Sequence, residues 1–78
     1  MISEKVRAVL PDGSIRYYDG LAQNADGSYE GIEVKSGTAT RDAGQRAFDG
    51  AVDAGTPAKA ILNGKPIVIR STDLIVVK

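Results

Sequence analysis

Residues 29–37 read Tyr-Glu-Gly-Ile-Glu-Val-Lys-Ser-Gly, and their alternation of polar and apolar side chains predicts a β-strand. Successive side chains of a strand point to opposite faces, so Glu33 and Lys35 share one face. Ile32 and Val34 share the other. We therefore expect the polar pair to face a cleft and the apolar pair to face a helix. An acid and a lysine placed in this way can bind a metal ion and position a water molecule beside it.

The segments before this strand predict two further strands. The Pro-Asp-Gly-Ser sequence at residues 11–14 is a turn signal between residues 6–10 and residues 15–21, both of which have strand-like composition. Residues 23–28 form a second turn signal that leads into the strand at residues 29–36. The three strands are predicted to form an antiparallel meander.

The pattern changes to that of a helix after the third strand. Between Thr40 and Ala54, apolar residues recur at spacings of four, which predicts one apolar stripe on an α-helix. Thr38 or Thr40 can cap the N-terminus of this helix, and Gly55 can end it.

Three more strands are predicted after the helix. Asn63-Gly64 is a strong hairpin signal between residues 58–62 and residues 66–70, and residues 73–78 form a last apolar strand. The predicted order is therefore β-β-β-α-β-β-β. This order indicates an α+β fold in which one helix packs on a face of an antiparallel or mixed sheet.

The composition narrows the chemistry that this chain can perform. It contains no His and no Cys, which excludes Ser-His-Asp and Cys-His nucleophilic sites, histidine acid-base chemistry, and thiolate or imidazole zinc sites. The remaining oxygen ligands suit hard ions such as Mg²⁺, Mn²⁺ or Ca²⁺. Ten acidic and ten basic residues cancel, so the chain lacks the positive excess of an obligate nucleic-acid binder. Lysines and arginines near a site can nevertheless contact phosphates.

The order of four polar residues along the chain is informative about function. Asp19 lies near the end of the second predicted strand, Glu33 and Lys35 lie in the third, and Gln45 lies in the helix. This order resembles that of restriction-endonuclease-like nucleases of the PD-(D/E)xK superfamily. It most closely resembles the small nuclease domains at the C-termini of bacterial polymorphic and contact-dependent inhibition toxins. The resemblance covers residues 16–48 and implies a minimal restriction-endonuclease-like core.

The resemblance also implies roles for these residues. Asp19, Glu33 and the backbone carbonyl of Val34 would bind Mg²⁺ or Mn²⁺. Lys35 would orient or deprotonate the attacking water. Gln45 would position that water or a neighbouring phosphate.

Two arginines are candidates for nucleic-acid binding. Arg41 is predicted to lie one helical turn before Gln45, where its guanidinium could hold a phosphate in a bidentate manner. This role follows from the chemistry of arginine and is not part of the family pattern. Arg16, three residues before Asp19, is the second candidate.

Each of these residues also has an interpretation without catalysis. An acid-x-Lys triplet arises by chance in about half of chains of this length, so Glu33 and Lys35 can be solubilising residues on a wet strand face. Asp19 with its following glycine can be only a turn, and Asp12 is the other candidate for the first acid. The tyrosines can either stack on bases or pack in the core, and Arg46 can be a solvated helix residue. These tyrosines are Tyr17, Tyr18 and Tyr29.

We therefore expect one domain, residues 1–78, that hydrolyses DNA or RNA with a divalent metal. The resemblance implies a toxin that acts in the cytoplasm of a target bacterium after delivery within a larger secreted protein, and that a cognate immunity protein neutralises. The family generally begins with a helix, whereas this chain starts almost directly in a strand. The domain is thus either a minimal version or a fragment in which a partner, another copy or rearranged packing replaces that helix.

The alternative is a small β-rich binding or assembly module without catalysis. In that case Glu33 and Lys35 form a surface pair, and the apolar strand at residues 74–77 is an edge that recruits another chain. A chain of 78 residues without Cys would also gain stability from a bound metal, a partner or a homo-oligomer. No apolar run approaches the roughly eighteen residues of a membrane span, and no signal-peptide pattern is present, so we expect no membrane partner.

Overall fold

The computed structural model describes residues 2–38 and 40–77. These residues form a mixed six-stranded sheet with one helix, in the order β-β-β-β-α-β-β. The elements are β1 (Val6–Val9), β2 (Ile15–Tyr18), β3 (Gly20–Gln23), β4 (Tyr29–Ser36), α1 (Ala43–Asp53), β5 (Ala58–Leu62) and β6 (Lys65–Val77). The predicted α+β class and the mixed sheet are confirmed, but the predicted strand order is wrong at two places.

The first difference is a break in the predicted strand at residues 15–21. Asp19 interrupts it, so that β2 and β3 are separate strands. The Asp19 amide donates a hydrogen bond to the Ile32 carbonyl at 2.8 Å. β2 pairs with β1, whereas β3 pairs with β4. The pairing partner of the chain therefore changes at Asp19, from β1 before this residue to β4 after it.

The second difference is the continuity of β6, which joins the two strands predicted at residues 66–70 and 73–78. The polar residues Ser71 and Thr72 resemble a break in the sequence, but they pair with β4 as part of one long strand. The last residue of the predicted strand, Lys78, lies outside the described residues.

The sheet is curled, as its strand order requires. The order is β2-β1-β5-β6-β4-β3, with antiparallel neighbours except for the parallel pair of β4 and β6. β2 and β3 are the two ends of this order, yet Asp19 alone separates them in the chain. The two edges of the sheet must therefore approach one another at Asp19.

The helix starts later than predicted and has a different cap. Asp42 is the N-cap residue, because its side chain accepts a hydrogen bond from the Gln45 amide at 2.7 Å, and Thr38 and Thr40 do not have this role. Gly55 follows the helix with φ +115°, as expected for the residue that ends it. The predicted hairpin at Asn63-Gly64 is confirmed, since both residues have positive φ and join β5 to β6.

The hydrophobic core lies between α1 and the concave side of the curled sheet. Phe48 and Val52 are the buried apolar residues of the helix, and Phe48 meets the ring of Tyr18 edge-on. The sheet and Leu10, which follows β1, contribute the rest of this core; the sheet residues are Val6, Ala8, Tyr18, Leu21, Ala58, Ala60, Leu62 and Ile69. Across residues 2–38 and 40–77, no helix has the length and apolar character needed to cross a membrane.

Candidate active site

An open cleft of about 380 Å³ lies at the bend between β2 and β3. The four predicted catalytic residues, which come from the bend, from β4 and from α1, all line it. The complete lining consists of Lys5, Ile15, Arg16, Tyr17, Asp19, Glu33, Val34, Lys35 and Gln45. The curl of the sheet thus brings together residues that the sequence separates.

Asp19 is held at the mouth of this cleft by the backbone of β4. Its Oδ2 accepts a hydrogen bond from the Val34 amide at 2.9 Å, and its Oδ1 lies 3.8 Å from the Lys5 ammonium. The Val34 hydrogen bond is the main cause that lowers the pKa of Asp19, and the positive charges of Lys5 and Lys35 add to it against a smaller effect of burial. Asp19 is therefore a carboxylate at neutral pH.

Glu33 is buried, which differs from a residue on a wet strand face. Only 5 % of its surface is exposed. Its two carboxylate oxygens have different partners, since Oε2 lies 3.3 Å from Nη1 of Arg16 and Oε1 lies 3.0 Å from Nζ of Lys35. The prediction that Val34 packs against the helix is wrong, because Val34 is 41 % exposed. The polar face of β4 points inward because Arg16 compensates the buried charge.

Arg16 connects β4 to the helix through a second buried acid, Asp49. The guanidinium binds Asp49 in a bidentate manner, with Nε to Oδ1 at 3.2 Å and Nη2 to Oδ2 at 3.3 Å. The hydroxyl of Tyr18 donates to Asp49 Oδ1 at 2.6 Å, and the Arg16 guanidinium lies 4.6 Å from the centre of the Tyr18 ring. Arg16 and Asp49 are 4 % and 2 % exposed. This placement leaves the Arg16 guanidinium little access to a phosphate.

The charges of this buried network stabilise one another. Burial raises the pKa of Asp49, but the hydrogen bonds from Arg16, Tyr18 and Arg41 outweigh it and lower that pKa overall. Burial also opposes the charge of Arg16, yet the hydrogen bond and charge of Asp49, with the charge of Glu33, raise the pKa of Arg16. Burial and the hydrogen bond to Asp49 raise the pKa of Tyr18. Asp49 and Arg16 are therefore ionised, and Tyr18 is neutral.

Gln45 and Arg41 are placed differently from one another. Gln45 lines the cleft, and its side-chain oxygen also accepts a hydrogen bond from the Asp42 amide at 3.1 Å, which completes the capping box of α1. Arg41 precedes the helix, so the prediction that it occupies a helical turn is wrong. Its Nη1 lies 3.0 Å from Asp49 Oδ2, and it does not line the cleft.

The tyrosines and Asp12 can now be assigned to places in the fold. Tyr18 is fully buried, and Tyr29 packs against the core. Tyr17 is 56 % exposed and lines the cleft. The Asp12 side chain accepts a hydrogen bond from the Ser14 amide at 2.8 Å, as in a turn, and Asp12 does not line the cleft that holds Asp19.

The donor set of the cleft fits a magnesium-like ion. Among the described residues there is no group of three or more His, Cys, Asp or Glu side chains placed to hold a metal. Asp19 and Glu33 supply two carboxylates. The N–H and C=O of a strand residue point to the same side of the strand, so the Val34 carbonyl faces the same side as its amide, which binds Asp19. Two carboxylates and a carbonyl suit Mg²⁺, which usually keeps several water ligands.

Two charged residues of this region were not predicted from the sequence. Asp49 lies four residues after Gln45, on the same side of the helix, and that spacing was the available signal. Lys5 precedes β1, and no local pattern connects it with Asp19. Comparisons with protein-family models, with curated proteins and with solved structures found no match for this chain.

Proposed function

We propose that this protein is a metal-dependent phosphodiesterase that cleaves nucleic acid, as the resemblance to PD-(D/E)xK nucleases implies. One observation carries the proposal: Asp19, Glu33, Lys35 and Gln45 line a single cleft, although the bend between β2 and β3, strand β4 and helix α1 supply them. A lone acid-x-Lys triplet on a strand would not require an acid from a bend earlier in the chain to lie beside it. A chance pattern would also not require a glutamine from the helix at the same place.

The charges of the cleft suit a phosphodiester. Lys5 and Lys35 balance Asp19 and Glu33 in the cleft, and Asp49 holds the buried guanidinium of Arg16. A divalent ion at the two carboxylates adds positive charge where a phosphate would bind. When bound, the ion supplies charge neutralisation and lowers the pKa of a coordinated water.

The residues of the chain have separate tasks in this proposal. Asp19, Glu33 and the Val34 carbonyl hold Mg²⁺ or Mn²⁺. Lys35, whose ammonium lies 3.0 Å from Glu33, donates a hydrogen bond to the attacking water and orients it.

Gln45 presents its side-chain amide group to that water or to the phosphate. Its oxygen already accepts from the Asp42 amide, so the NH₂ group is the part that can donate to an oxygen of the substrate. The same contact fixes the orientation of the side chain.

Arg16 and Asp49 position the site without touching the substrate. Arg16 holds one oxygen of Glu33, and Asp49 holds Arg16 through two hydrogen bonds. The orientation of the Glu33 carboxylate therefore depends on a helix that is far from it in sequence. Because a misplaced ligand reduces both metal affinity and rate, this support belongs to the proposed mechanism.

A cleavage assay tests the proposal. Plasmid DNA, single-stranded DNA and tRNA are incubated with the protein in Mg²⁺, Mn²⁺ or EDTA, and wild type is compared with Glu33→Ala and Lys35→Ala. We expect metal-dependent cleavage by wild type, with a loss of about 100-fold or more in each variant. Lys65→Ala is a matched control, because Lys65 is an exposed lysine outside the cleft. Absence of cleavage by folded wild-type protein would refute the proposal.

The toxin context also remains part of the proposal. It predicts that wild-type protein is recovered poorly from bacteria that lack an immunity protein, whereas Glu33→Ala is recovered well.

Residues 71–77 of β6 pair only with β4 among the strands of the described residues, and Ile75, Val76 and Val77 are exposed. This apolar edge is the observation that favours the second candidate, a module that binds another chain.

A further inference from the structure

We infer that the substrate is a single-stranded nucleic acid, and that Tyr17 stacks on a base beside the proposed cleavage site. This inference rests on the proposed function and adds the substrate class to it. It arises from the convex face of β2, β1 and β5, which carries an exposed aromatic ring and three cations.

Tyr17 is placed to meet a base. The side chains of β2 alternate, so that Arg16 and Tyr18 point inward, whereas Ile15 and Tyr17 point outward and are 49 % and 56 % exposed. Tyr17 lines the same cleft as Asp19, two residues further along the chain. An exposed ring next to a phosphate-binding site is the usual platform on which an unpaired base stacks.

Positively charged residues lie beside Tyr17 on the same face of the sheet, further from the cleft. Arg7 is the cross-strand partner of Tyr17, and Val9 is the partner of both Ile15 and Lys59, so Tyr17, Arg7 and Lys59 lie on one face. We call Lys5, Arg7, Tyr17 and Lys59 the outer basic face.

A shallow groove of about 400 Å³ connects this face with the cleft. It is lined by the three cations of the outer basic face and by a single acid, Glu4. Lys5 lines both the groove and the cleft. The groove therefore has a local excess of two positive charges, although the whole chain has none.

The geometry favours a single strand over a duplex. In a duplex both faces of nearly every base are covered by neighbouring bases, so a tyrosine on a sheet surface has no ring to stack on. In a single strand, the base can turn toward Tyr17 while its phosphates follow Lys5, Arg7 and Lys59. No residue of this face is buried, so each can reach its partner without a change in the fold.

Binding of short fluorescein-labelled oligonucleotides tests the inference. Oligothymidylate, oligouridylate and the corresponding duplexes are titrated with protein in Ca²⁺, and gels verify that the probes stay intact. Fluorescence anisotropy then compares wild type with Tyr17→Phe and Tyr17→Ala. The charge variant is Arg7→Gln combined with Lys59→Gln. Its control is Arg70→Gln, since Arg70 is an exposed strand arginine outside both the cleft and the groove.

We expect wild type to bind single strands more tightly than duplexes. Tyr17→Ala should weaken single-strand binding about tenfold, and Tyr17→Phe should keep wild-type affinity because the ring remains. The charge variant should reduce the slope of log affinity against log salt by about 0.7 for each lost phosphate contact, and Arg70→Gln should not. The comparison of oligothymidylate with oligouridylate shows whether the protein binds DNA or RNA more tightly.

Two results would overturn the inference. One is equal affinity of Tyr17→Ala and wild type for single strands, and the other is preference for duplex. Either result leaves the proposed function standing if wild type still cleaves and Glu33→Ala does not. Conversely, single-strand binding that depends on Tyr17, by a protein that cleaves nothing, would support this surface and refute the catalytic proposal.

Discussion

Replacement of Asp49 by alanine should destabilise this protein more than any substitution at an exposed acid. Asp49 accepts two hydrogen bonds from Arg16, one from Tyr18 and one from Arg41. Without it, the guanidinium of Arg16, whose side chain is 3 % exposed, keeps Glu33 as its only carboxylate and cannot recruit bulk water. Breaking a buried ion pair by removal of one partner costs about 3–5 kcal/mol.

That loss is large for a domain of this size. A chain of 78 residues has a free energy of unfolding of about 4–12 kcal/mol. Each kcal/mol corresponds to about 4–8 °C in Tm for a domain of this length, so Asp49→Ala should lower Tm by at least about 12 °C. Urea unfolding followed by circular dichroism measures the free energy, and thermal melting gives Tm. Asp12→Ala is the control, because Asp12 is exposed and makes one hydrogen bond in a turn, so we expect a much smaller loss of stability.

A double-mutant cycle separates the ion pair from other effects of Asp49. Arg16→Met alone leaves two buried carboxylates without their shared partner, whereas Arg16→Met with Asp49→Leu removes both charges of the pair. The free energy of unfolding of the double variant should therefore fall by at least about 1 kcal/mol less than the summed losses of Arg16→Met and Asp49→Leu. Additive losses, or a loss in Asp49→Ala no larger than in Asp12→Ala, would refute the argument that this pair organises the interior.

Three further predictions follow from individual contacts. The pKa of Asp49 is lowered in the folded protein, so its contribution to stability is present above the unfolded pKa of about 3.9 and is lost as the pH falls through the folded pKa. Urea unfolding at neutral and acidic pH should therefore show a drop below about pH 4 that is smaller in Asp49→Asn, and an equal drop would contradict this. A Cβ at Gly31 would lie 2.8 Å from the ring of Tyr18, so Gly31→Ala should cost about 1–3 kcal/mol. Gly50→Ala, where a Cβ meets no atom within 4 Å, should instead stabilise α1 by about 0.5–1 kcal/mol. If Gly31→Ala and Gly50→Ala change Tm equally, the contact between residue 31 and the Tyr18 ring does not destabilise the protein. Removal of the N-cap in Asp42→Ala should cost about 1 kcal/mol, and an unchanged unfolding curve would exclude that role.

The local features of the fold were predictable because they depend on short-range rules. Asn63-Gly64 tolerates the positive φ angles of a tight turn, so the hairpin of β5 and β6 was correctly located. The change from alternation to a spacing of four located the helix. Its start was misplaced by three residues, because three polar residues compete as caps and only the backbone path selects Asp42.

The candidate site was likewise predicted only in part from the sequence. The order of Asp19, Glu33, Lys35 and Gln45 along the chain carried the resemblance to a nuclease family, and the structure brings all four to one cleft. The sequence did not predict that Glu33 is buried, because a polar residue on an alternating strand has the pattern of a wet face. It also did not predict that Arg16 is occupied by carboxylates.

The fold class, the turns, most strand positions and the types of residue available for chemistry could be predicted, since these follow from backbone preferences and side-chain period over a few residues. Long-range pairing sets the change of pairing partner at Asp19 and joins residues 65–77 into one strand. The tertiary structure also decides that Asp49 meets Arg16 across the core. These features depend on which distant segments pair, and a buried charge is tolerated only where a distant partner compensates its loss of hydration.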